Sequence, residues 1–484
     1  MPETKESGLP RHRLIGLLLG PAVVAIMLAS PAPEGLSPRG WATASVGILM
    51  AVWWMTEAVP LAVTALLPLV LFPLLGIRAI EDSTASYAHP LVFLFLGGFL
   101  LARAMHVWKL DRRLALTVLH FAGSNPRGVI AGVMGVTAFL SMWVSNTATA
   151  MVMLPIGLSV IPAFKKRAGA GQDGFPPALL LGIAYAATIG GMGTIIGTPP
   201  NALFVAYMAG AHGIEIDFLR WMLIGVPAVL IMLPLAWFVL THVAFHVSGN
   251  SGDAAPEPFE KLAPVSRAEY MTGILMLVVA GCWIFRPFLA DALPGVPLSD
   301  AGIAMTGAVL CFLLPVDLKR GRFLLSWDEA ASIRWDVLIL FGGGLALAAA
   351  IGESDLAHWM GARLGGLGAL PLFVLLLVVG VLIVGVGELA SNTAMAAVFL
   401  PVAGATALGM GEPAVLLALP VALFATLGFM LPVATPPNAV IFGSGAVEIG
   451  QMLRAGVILD ISGILIVAGI VMTLGERLLP PALP

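Results

Sequence analysis

Apolar residues in this chain come in long continuous runs, without the alternation of half-buried strands or the one-sided stripe of soluble helices. A helix needs roughly 20 such residues to cross a hydrocarbon layer about 30 Å thick. Spans are predicted at about 14–30, 41–57, 58–77 and 90–106, as a pair of legs within 128–164, and at 177–210 and 218–245. A polar stretch from Val247 to Arg267 carries Ser-Gly-Asn-Ser-Gly-Asp and Pro-Glu-Pro and reads as a linker. Beyond it, spans are predicted at 269–288, 300–316 and 335–352, a second pair of legs within 368–411, then 413–446 and 455–475.

The polar interruptions repeat. Ser145-Asn146-Thr147 recurs as Ser391-Asn392-Thr393, an offset of 246, and each copy runs on to a Leu-Pro, at Leu154-Pro155 and Leu400-Pro401. Gly197-Thr198-Pro199-Pro200-Asn201 is echoed by Ala434-Thr435-Pro436-Pro437-Asn438. Upstream, Phe95-Leu96-Gly97-Gly98 is echoed by Leu340-Phe341-Gly342-Gly343. Three ordered matches at similar spacing indicate a duplicated fold. Polar breaks at corresponding places in two membrane halves point to a transporter's binding site. Two successive prolines remove two backbone donors and clash with the preceding turn, so each long span is predicted to break at Thr-Pro-Pro. Proline suits the first turn of the half-helix that follows, and Thr198 or Thr435 suits its cap.

Composition agrees with this pattern. Of 484 residues 59% are hydrophobic and 11% charged, against about 25% charged in soluble domains. The fold class is all-α polytopic membrane protein. A β-barrel is disfavoured because the runs do not alternate in polarity. Cys282 and Cys311 lie in apolar segments and read as core thiols. Arg11-His12-Arg13, the run Leu14 to Leu28 and Ala29-Ser30-Pro31-Ala32 form a passable signal-peptide pattern. The many later spans favour an uncleaved first span instead.

Basic residues orient the spans, because cytoplasmic loops carry them. Arg11 and Arg13 put the N-terminus in the cytoplasm. The same side is required for Lys109 with Arg112 and Arg113, for Lys165-Lys166-Arg167, for Lys261 with Arg267, and for Lys319-Arg320 with Arg322. Arg127 and Lys165 flank the first Ser-Asn-Thr at nearly equal distances, with 37 residues between them. That scarcely suffices for two full spans and a turn. A re-entrant hairpin with its tip near mid-membrane fits better than two ordinary spans with the motif in an outer loop. In the second half no Lys or Arg occurs from Leu364 to Leu453, as a hairpin entering from the outer face requires. Opposite charge bias around equivalent elements makes the repeat inverted.

Broken backbone within a bilayer is tolerated only where it lines a cavity or is buried in protein. Two hairpin tips and two Thr-Pro-Pro breaks, brought together, would present half-helix N-termini suited to an anion. Exposed carbonyls and the Ser, Asn and Thr oxygens suit a hard cation such as sodium. The Asn amide both donates and accepts, so it can link an ion to a carboxylate. Other features have plainer readings. Gly97-Gly98 and Gly342-Gly343-Gly344 read as close helix packing, Trp53-Trp54 as an interface belt, and Glu57 as scaffold. His242 and His246 read as solvated span-end residues without a third metal ligand. Glu388, three residues before Ser391, is a candidate support of the second hairpin tip. No Ser/His/Asp or His/Glu cluster stands in the spans, so a membrane-embedded enzyme is disfavoured. A passive channel is the remaining class, separated by its lack of saturation.

Trp53-Trp54-Met55-Thr56-Glu57-Ala58-Val59-Pro60, both Ser-Asn-Thr motifs, Gly190-Gly191-Met192-Gly193-Thr194 and both Thr-Pro-Pro-Asn motifs resemble the divalent anion:sodium symporter (DASS) family, whose members transport dicarboxylates, citrate or sulfate. The resemblance runs from about residue 53 to 440. It implies a homodimer with eleven spans and two re-entrant hairpins per protomer, a scaffold domain, and a transport domain that slides as an elevator. Asn146, Thr147, Asn392 and Thr393 would then contact the substrate, helped by Thr198, Pro199, Thr435 and Pro436. A first sodium would be held by Ser141, Ser145, Asn146 and Gly197, and a second around Ala390, Asn392 and Ala434. Related sequences commonly carry Thr-Glu where this chain has Gly387-Glu388, which removes a hydroxyl from the second sodium site. Met395 stands where the first motif has Thr149, a change expected to reshape the pocket. The implied domains are 1–126 (scaffold), 127–246 (first transport half), 247–267 (linker), 268–366 (scaffold) and 367–484 (second transport half). The expected function is sodium-coupled import of a C4-dicarboxylate such as succinate, malate or fumarate across the inner membrane. The alternatives are a sodium-independent exchanger, or a citrate or sulfate transporter of the same fold. No cofactor beyond the coupling ion and no nucleic-acid partner is implied.

Overall fold

The fold is known from a computed structural model, described here for residues 10–121, 125–168, 174–247 and 263–475. Most of the linker, including Lys261, lies outside the described residues, as do the side chains of Lys165, Lys166 and Arg167. The chain is helical apart from one small antiparallel pair, Pro315–Asp317 with Arg322–Phe323. Seven helices among the described residues are long and apolar enough to cross a membrane, by length and composition. The other apolar helices have 10–17 residues, and most of them are half-helices and hairpin legs.

Both Ser-Asn-Thr motifs sit where two helices meet. The first joins Pro126–Ser141 to Asn146–Ala168, and the second joins Leu372–Gly387 to Asn392–Gly409. Both long Thr-Pro-Pro spans are broken. The first runs Phe175–Gly191, unwinds, and resumes as Pro199–His212. The second runs Val415–Phe424 and resumes as Pro436–Gly443 after a longer unwound stretch. The leading halves, Phe175–Gly191 and Val415–Phe424, are buried at every residue and form the centre of the bundle. Their neighbours are exchanged between the repeats. Phe175–Gly191 packs on Pro436–Gly443, and Val415–Phe424 packs on Pro199–His212. Likewise Asn146–Ala168 packs on Pro436–Gly443, and Asn392–Gly409 on Pro199–His212. Reciprocal contacts of this kind are what two copies of one module make about a pseudo-two-fold axis.

Around this bundle Arg11–Ala29 packs along Pro38–Thr56, through Gly16 against Thr56 and Gly20 against Leu49 and Trp53. The paired glycines upstream serve close packing, as expected. A Cβ at Gly97 would strike the Ala304 backbone at 2.6 Å, and one at Gly343 the Ala65 carbonyl at 2.3 Å.

Several local expectations are corrected. The stretch 58–77 is not one span but Leu61–Thr64 and Leu67–Leu74, because Pro60, Pro68 and Pro73 punctuate it. The charged stretch after Val107 is not merely a loop: Leu110–Phe121 is a helix with Ala115 and Leu116 buried. Its charges hide it from a search for apolar runs. Trp54 does not belong to an interface belt, because it is fully buried and its indole donates to Leu61 O at 3.1 Å. The Lys319-Arg320 cluster occupies the turn of the strand pair, where Asp317 Oδ1 accepts from both backbone amides.

The basic clusters that the sequence assigned to one side are neighbours. Arg113 pairs with Glu269 at 2.6 Å and donates to Ala263 O. Arg322 lies over Trp108, whose indole donates to Leu324 O. Arg127 donates to Val247 O at 2.7 Å.

Candidate functional site

The two hairpin tips and the two helix breaks meet around one cavity of about 420 Å³. All eight residues expected to touch substrate line it: Asn146, Thr147, Thr198, Pro199, Asn392, Thr393, Thr435 and Pro436. Four helices begin at its wall, with first residues Asn146, Pro199, Asn392 and Pro436. A helix N-terminus carries roughly half a positive charge and unpaired N–H groups in its first turn. The two hairpin helices supply those donors. The two proline-led helices supply the dipole but fewer N–H groups.

The caps are not equivalent. Ser145 Oγ accepts from Ala148 N at 3.3 Å, and Thr435 Oγ1 accepts from Asn438 N at 3.3 Å. Thr198 and Ser391 occupy the cap positions of their helices without making a side-chain cap bond. Thr198 therefore does not act as the cap the sequence allowed for it, and its hydroxyl stays available to the cavity.

Ser145, Asn146, Gly197, Asn392 and Ala434 also line the cavity, while Ser141 and Ala390 lie buried behind it. The Asn146 amide end lies 2.7 Å from Ser141 Oγ, 3.0 Å from Gly197 O and 3.3 Å from Ala187 O. Ser141 Oγ in turn donates to Ala187 O at 2.6 Å. An amide NH2 turned inward serves these oxygens. Turned the other way, Oδ1 joins them in an oxygen cluster that fits a hard cation. The packing there requires glycine: a Cβ at Gly191 would meet Asn146 Oδ1 at 2.5 Å, and one at Gly197 would meet Gly191 O at 2.4 Å.

The second copy is thinner. Asn392 Nδ2 donates to Thr426 O at 3.4 Å, and its buried Oδ1 has no protein partner. The counterpart of Ser141 is Gly387, which has no hydroxyl to offer. A buried acceptor without a donor is one that a cation could satisfy. Met395 is fully buried, and neither it nor Thr149 lines the cavity, so that substitution does not shape the wall.

Sequence reasoning missed three features. Asn201 and Asn438, read only as parts of a motif, are fully buried staples. Asn201 Nδ2 donates to Gly191 O at 3.0 Å and Thr194 O at 2.8 Å. Asn438 Nδ2 donates to Gly428 O and Leu431 O, both at 3.0 Å. Both pairs of carbonyls lie ten and seven residues upstream, and the duplicated Asn was the available signal. At the cavity rim Arg334 forks onto Asp336, with Nε–Oδ1 at 2.9 Å and Nη2–Oδ2 at 2.8 Å. Glu57 also lines the cavity, in the left-handed conformation (φ 46°) that ends its helix, and pairs with Arg13 at 2.9 Å. Glu388, expected beside the second tip, reaches the second break instead: its two oxygens accept from Met430 N at 3.0 Å and Leu431 N at 2.8 Å.

Interrupted helices whose N-termini converge on a central cavity, among apolar helices, define a polytopic membrane transport protein. The chain belongs to the sodium:sulfate symporter family, whose transmembrane-region model matches residues 11–479. That is a family of transporters, not enzymes. Among similar proteins is the sodium-dependent dicarboxylate transporter SdcS of Staphylococcus saprophyticus, 38% identical over 97% of this chain and 92% of that one. The protein of the same name in Staphylococcus aureus strain USA300 is also 38% identical, over 92% and 88%. Two solved structures share the fold. The YdaH transporter of Alcanivorax borkumensis has a TM-score of 0.60 at 14% identity, covering 97% of this chain and all of that one. MtrF of Neisseria gonorrhoeae has a TM-score of 0.57 at 12% identity, covering 99% and 98%.

Proposed function

We propose that the protein imports a small dianion, a C4-dicarboxylate such as succinate, malate or fumarate, together with sodium. The observation that carries this reading is the convergence of four helix N-termini on one cavity. Their dipoles attract an anion without a buried lysine, so the site can release what it binds. The Asn146, Thr147, Asn392 and Thr393 side chains donate to the two carboxylates, with Thr198, Pro199, Thr435 and Pro436 shaping the wall. One sodium sits among Ser141, Ser145, Asn146 and Gly197, and a second among Ala390, Asn392 and Ala434. Each Asn amide then turns its oxygen to the ion and its nitrogen to the substrate. The relatives named for sodium-dependent dicarboxylate transport support this choice of ion and substrate class.

The reciprocal packing of the two halves and their opposite charge bias support an inverted repeat of eleven spans and two re-entrant hairpins. In this reading the basic clusters and the N-terminus face the cytoplasm, across the inner membrane. Glu57 at the cavity pairs with Arg13, which supports a cavity that opens toward the cytoplasm in this reading. The bundle of hairpins and broken helices would move as one elevator unit against scaffold helices that also form a homodimer.

The experiment is uptake of labelled succinate into proteoliposomes, with and without an inward sodium gradient and with competing citrate and sulfate. Concentrative uptake that needs the gradient and is blocked by unlabelled dicarboxylates is expected. Counterflow without sodium would instead make the protein an exchanger, and citrate or sulfate as the better competitor would move the substrate class.

Gly387 adds a sharper test. A Cβ there would meet only Met395 Cγ, at 4.0 Å, so a larger side chain fits. Gly387→Thr is expected to lower the sodium concentration for half-maximal uptake by about fivefold, the worth of one hydrogen-bond-strength contact of roughly 1 kcal/mol. An unchanged or higher sodium requirement would remove Gly387 from the account of the second ion site.

A further inference from the structure

The cavity has two unlike walls. The hairpin tips and helix breaks make one of them. Residues between 57 and 99 and between 334 and 340 make the other. This second wall is apolar, with Leu61, Phe95, Phe99, Val337 and Leu340, apart from three charged side chains: Glu57, Arg334 and Asp336. Among the described residues lining the cavity, Arg334 is the only Lys or Arg.

Arg334 occupies the cap position ahead of Trp335–Glu353, whose first turn holds Asp336. Paired glycines fix that helix in place. A Cβ at Gly342 would strike the Tyr87 ring, and one at Gly343 would strike Ala65. The Tyr87 hydroxyl in turn donates to Ala65 O. Both partners lie in the part of the chain read as scaffold, so Arg334 is fastened to the scaffold, across the cavity from the tips.

The guanidinium is only half used. Its Nε and Nη2 fork onto Asp336, and Nη1 has no protein partner among the described residues. The edge formed by Nη1 and Nη2 is therefore open, and such an edge matches a second carboxylate. The first turn of a helix favours negative charge. Arg334 and this turn thus already hold one carboxylate, supplied from two positions away in the chain. The side chains of the pair are 50% and 53% exposed, so the ion pair contributes little and its members exchange partners readily. Glu57, the other acid at the cavity, pairs with Arg13 instead.

We infer that Arg334 is a second anion-binding station: its open edge takes a substrate carboxylate, and Asp336 is a built-in competitor that keeps the grip weak. This station rests on the transport function proposed above. There the tips and breaks move, Trp335–Glu353 stays with the scaffold, and the cavity opens toward the cytoplasm. Arg334 therefore meets the substrate only at the cytoplasmic end of the cycle. It draws the anion away from the four helix starts, and Asp336 then displaces it.

The test uses the full-length protein and has two arms. In the first, succinate, citrate and sulfate are titrated calorimetrically onto the detergent-solubilised protein in sodium. For whichever anion binds best, Arg334→Gln should weaken binding about tenfold, as loss of a hydrogen bond between charged groups does. Asp336→Asn should strengthen it severalfold. Arg334→Lys, which keeps the charge without the fork, should fall between Arg334→Gln and the unsubstituted protein. A pair that only braces the helix start would move Arg334→Gln and Asp336→Asn in the same direction. That result, or binding unchanged in both, would overturn the inference while leaving the transport reading intact. An unsubstituted protein that binds none of the three anions would overturn the substrate reading and this station with it. In the second arm, uptake is measured in sealed vesicles of known orientation. The half-saturating concentration for Arg334→Gln should rise at the cytoplasmic face and stay unchanged at the other. An equal rise at both faces would overturn the one-sided station.

Discussion

Replacing Asn146 or Asn392 by alanine is expected to abolish sodium-driven uptake while the protein remains folded in the membrane. Each amide begins a half-helix at the cavity wall. In the proposed site it contacts a cation through oxygen and a carboxylate through nitrogen. A hydrogen bond to a charged group contributes about 1.5–3 kcal/mol. Losing both contacts costs about 3–6 kcal/mol, a fall of two or more orders of magnitude in uptake at a fixed substrate concentration. The fold should survive, because neither side chain is fully buried and neither ties distant elements together except through weak or replaceable bonds. The measurement is initial uptake rate against succinate and sodium concentration, with membrane insertion checked in parallel. Near-normal affinity and rate in both variants would reject the cavity as the transport site.

Asn201→Ala and Asn438→Ala should fail differently, through the fold. Each asparagine spans an unwound stretch and donates to two carbonyls that have left the helical ladder. Both side chains are fully buried. Removing the donor strands two acceptors without water, at about 1–3 kcal/mol each. Either alanine variant should therefore lose about 2–6 kcal/mol, seen as a clearly lower unfolding temperature of the detergent-solubilised protein and as lost uptake. Asn→Asp should be no better, since a carboxylate presents acceptors to acceptors. Unfolding at the original temperature with intact uptake would show that the breaks hold themselves open without the staples.

Much of the site is legible in the chain because membrane burial makes irregular backbone conspicuous. Ser145-Asn146-Thr147 and Thr198-Pro199-Pro200-Asn201 stand out against apolar neighbours, and duplication turns each from a local oddity into a correspondence. A helix inside hydrocarbon pairs its own backbone groups, so an interruption that recurs marks where protein, not lipid, surrounds the chain. The charged helix Leu110–Phe121 and the strand pair at 315–323 escape this logic, since their polar residues resemble any connecting loop.

Other features depend on side chains distant in the chain. Asp460 looks like a stray acid in a long apolar helix until the fold sets its Oδ2 to accept from Phe429 N in the second break. Arg334 and Asp336 look like the end of a loop until they stand at the cavity rim. Trp54 reads as an interface residue until its buried indole N–H is seen to donate to Leu61 O.

Local backbone chemistry decides where the helices stop: proline cannot donate, and small polar residues occupy the cap positions of the helices that restart, so the four breaks are written into the chain. Which breaks meet, and that Asn392 Oδ1 is left without a partner while Asn146 has three, depends on how the halves exchange neighbours. That arrangement comes from packing among apolar faces, where many sequences are equivalent and no single residue announces its contact.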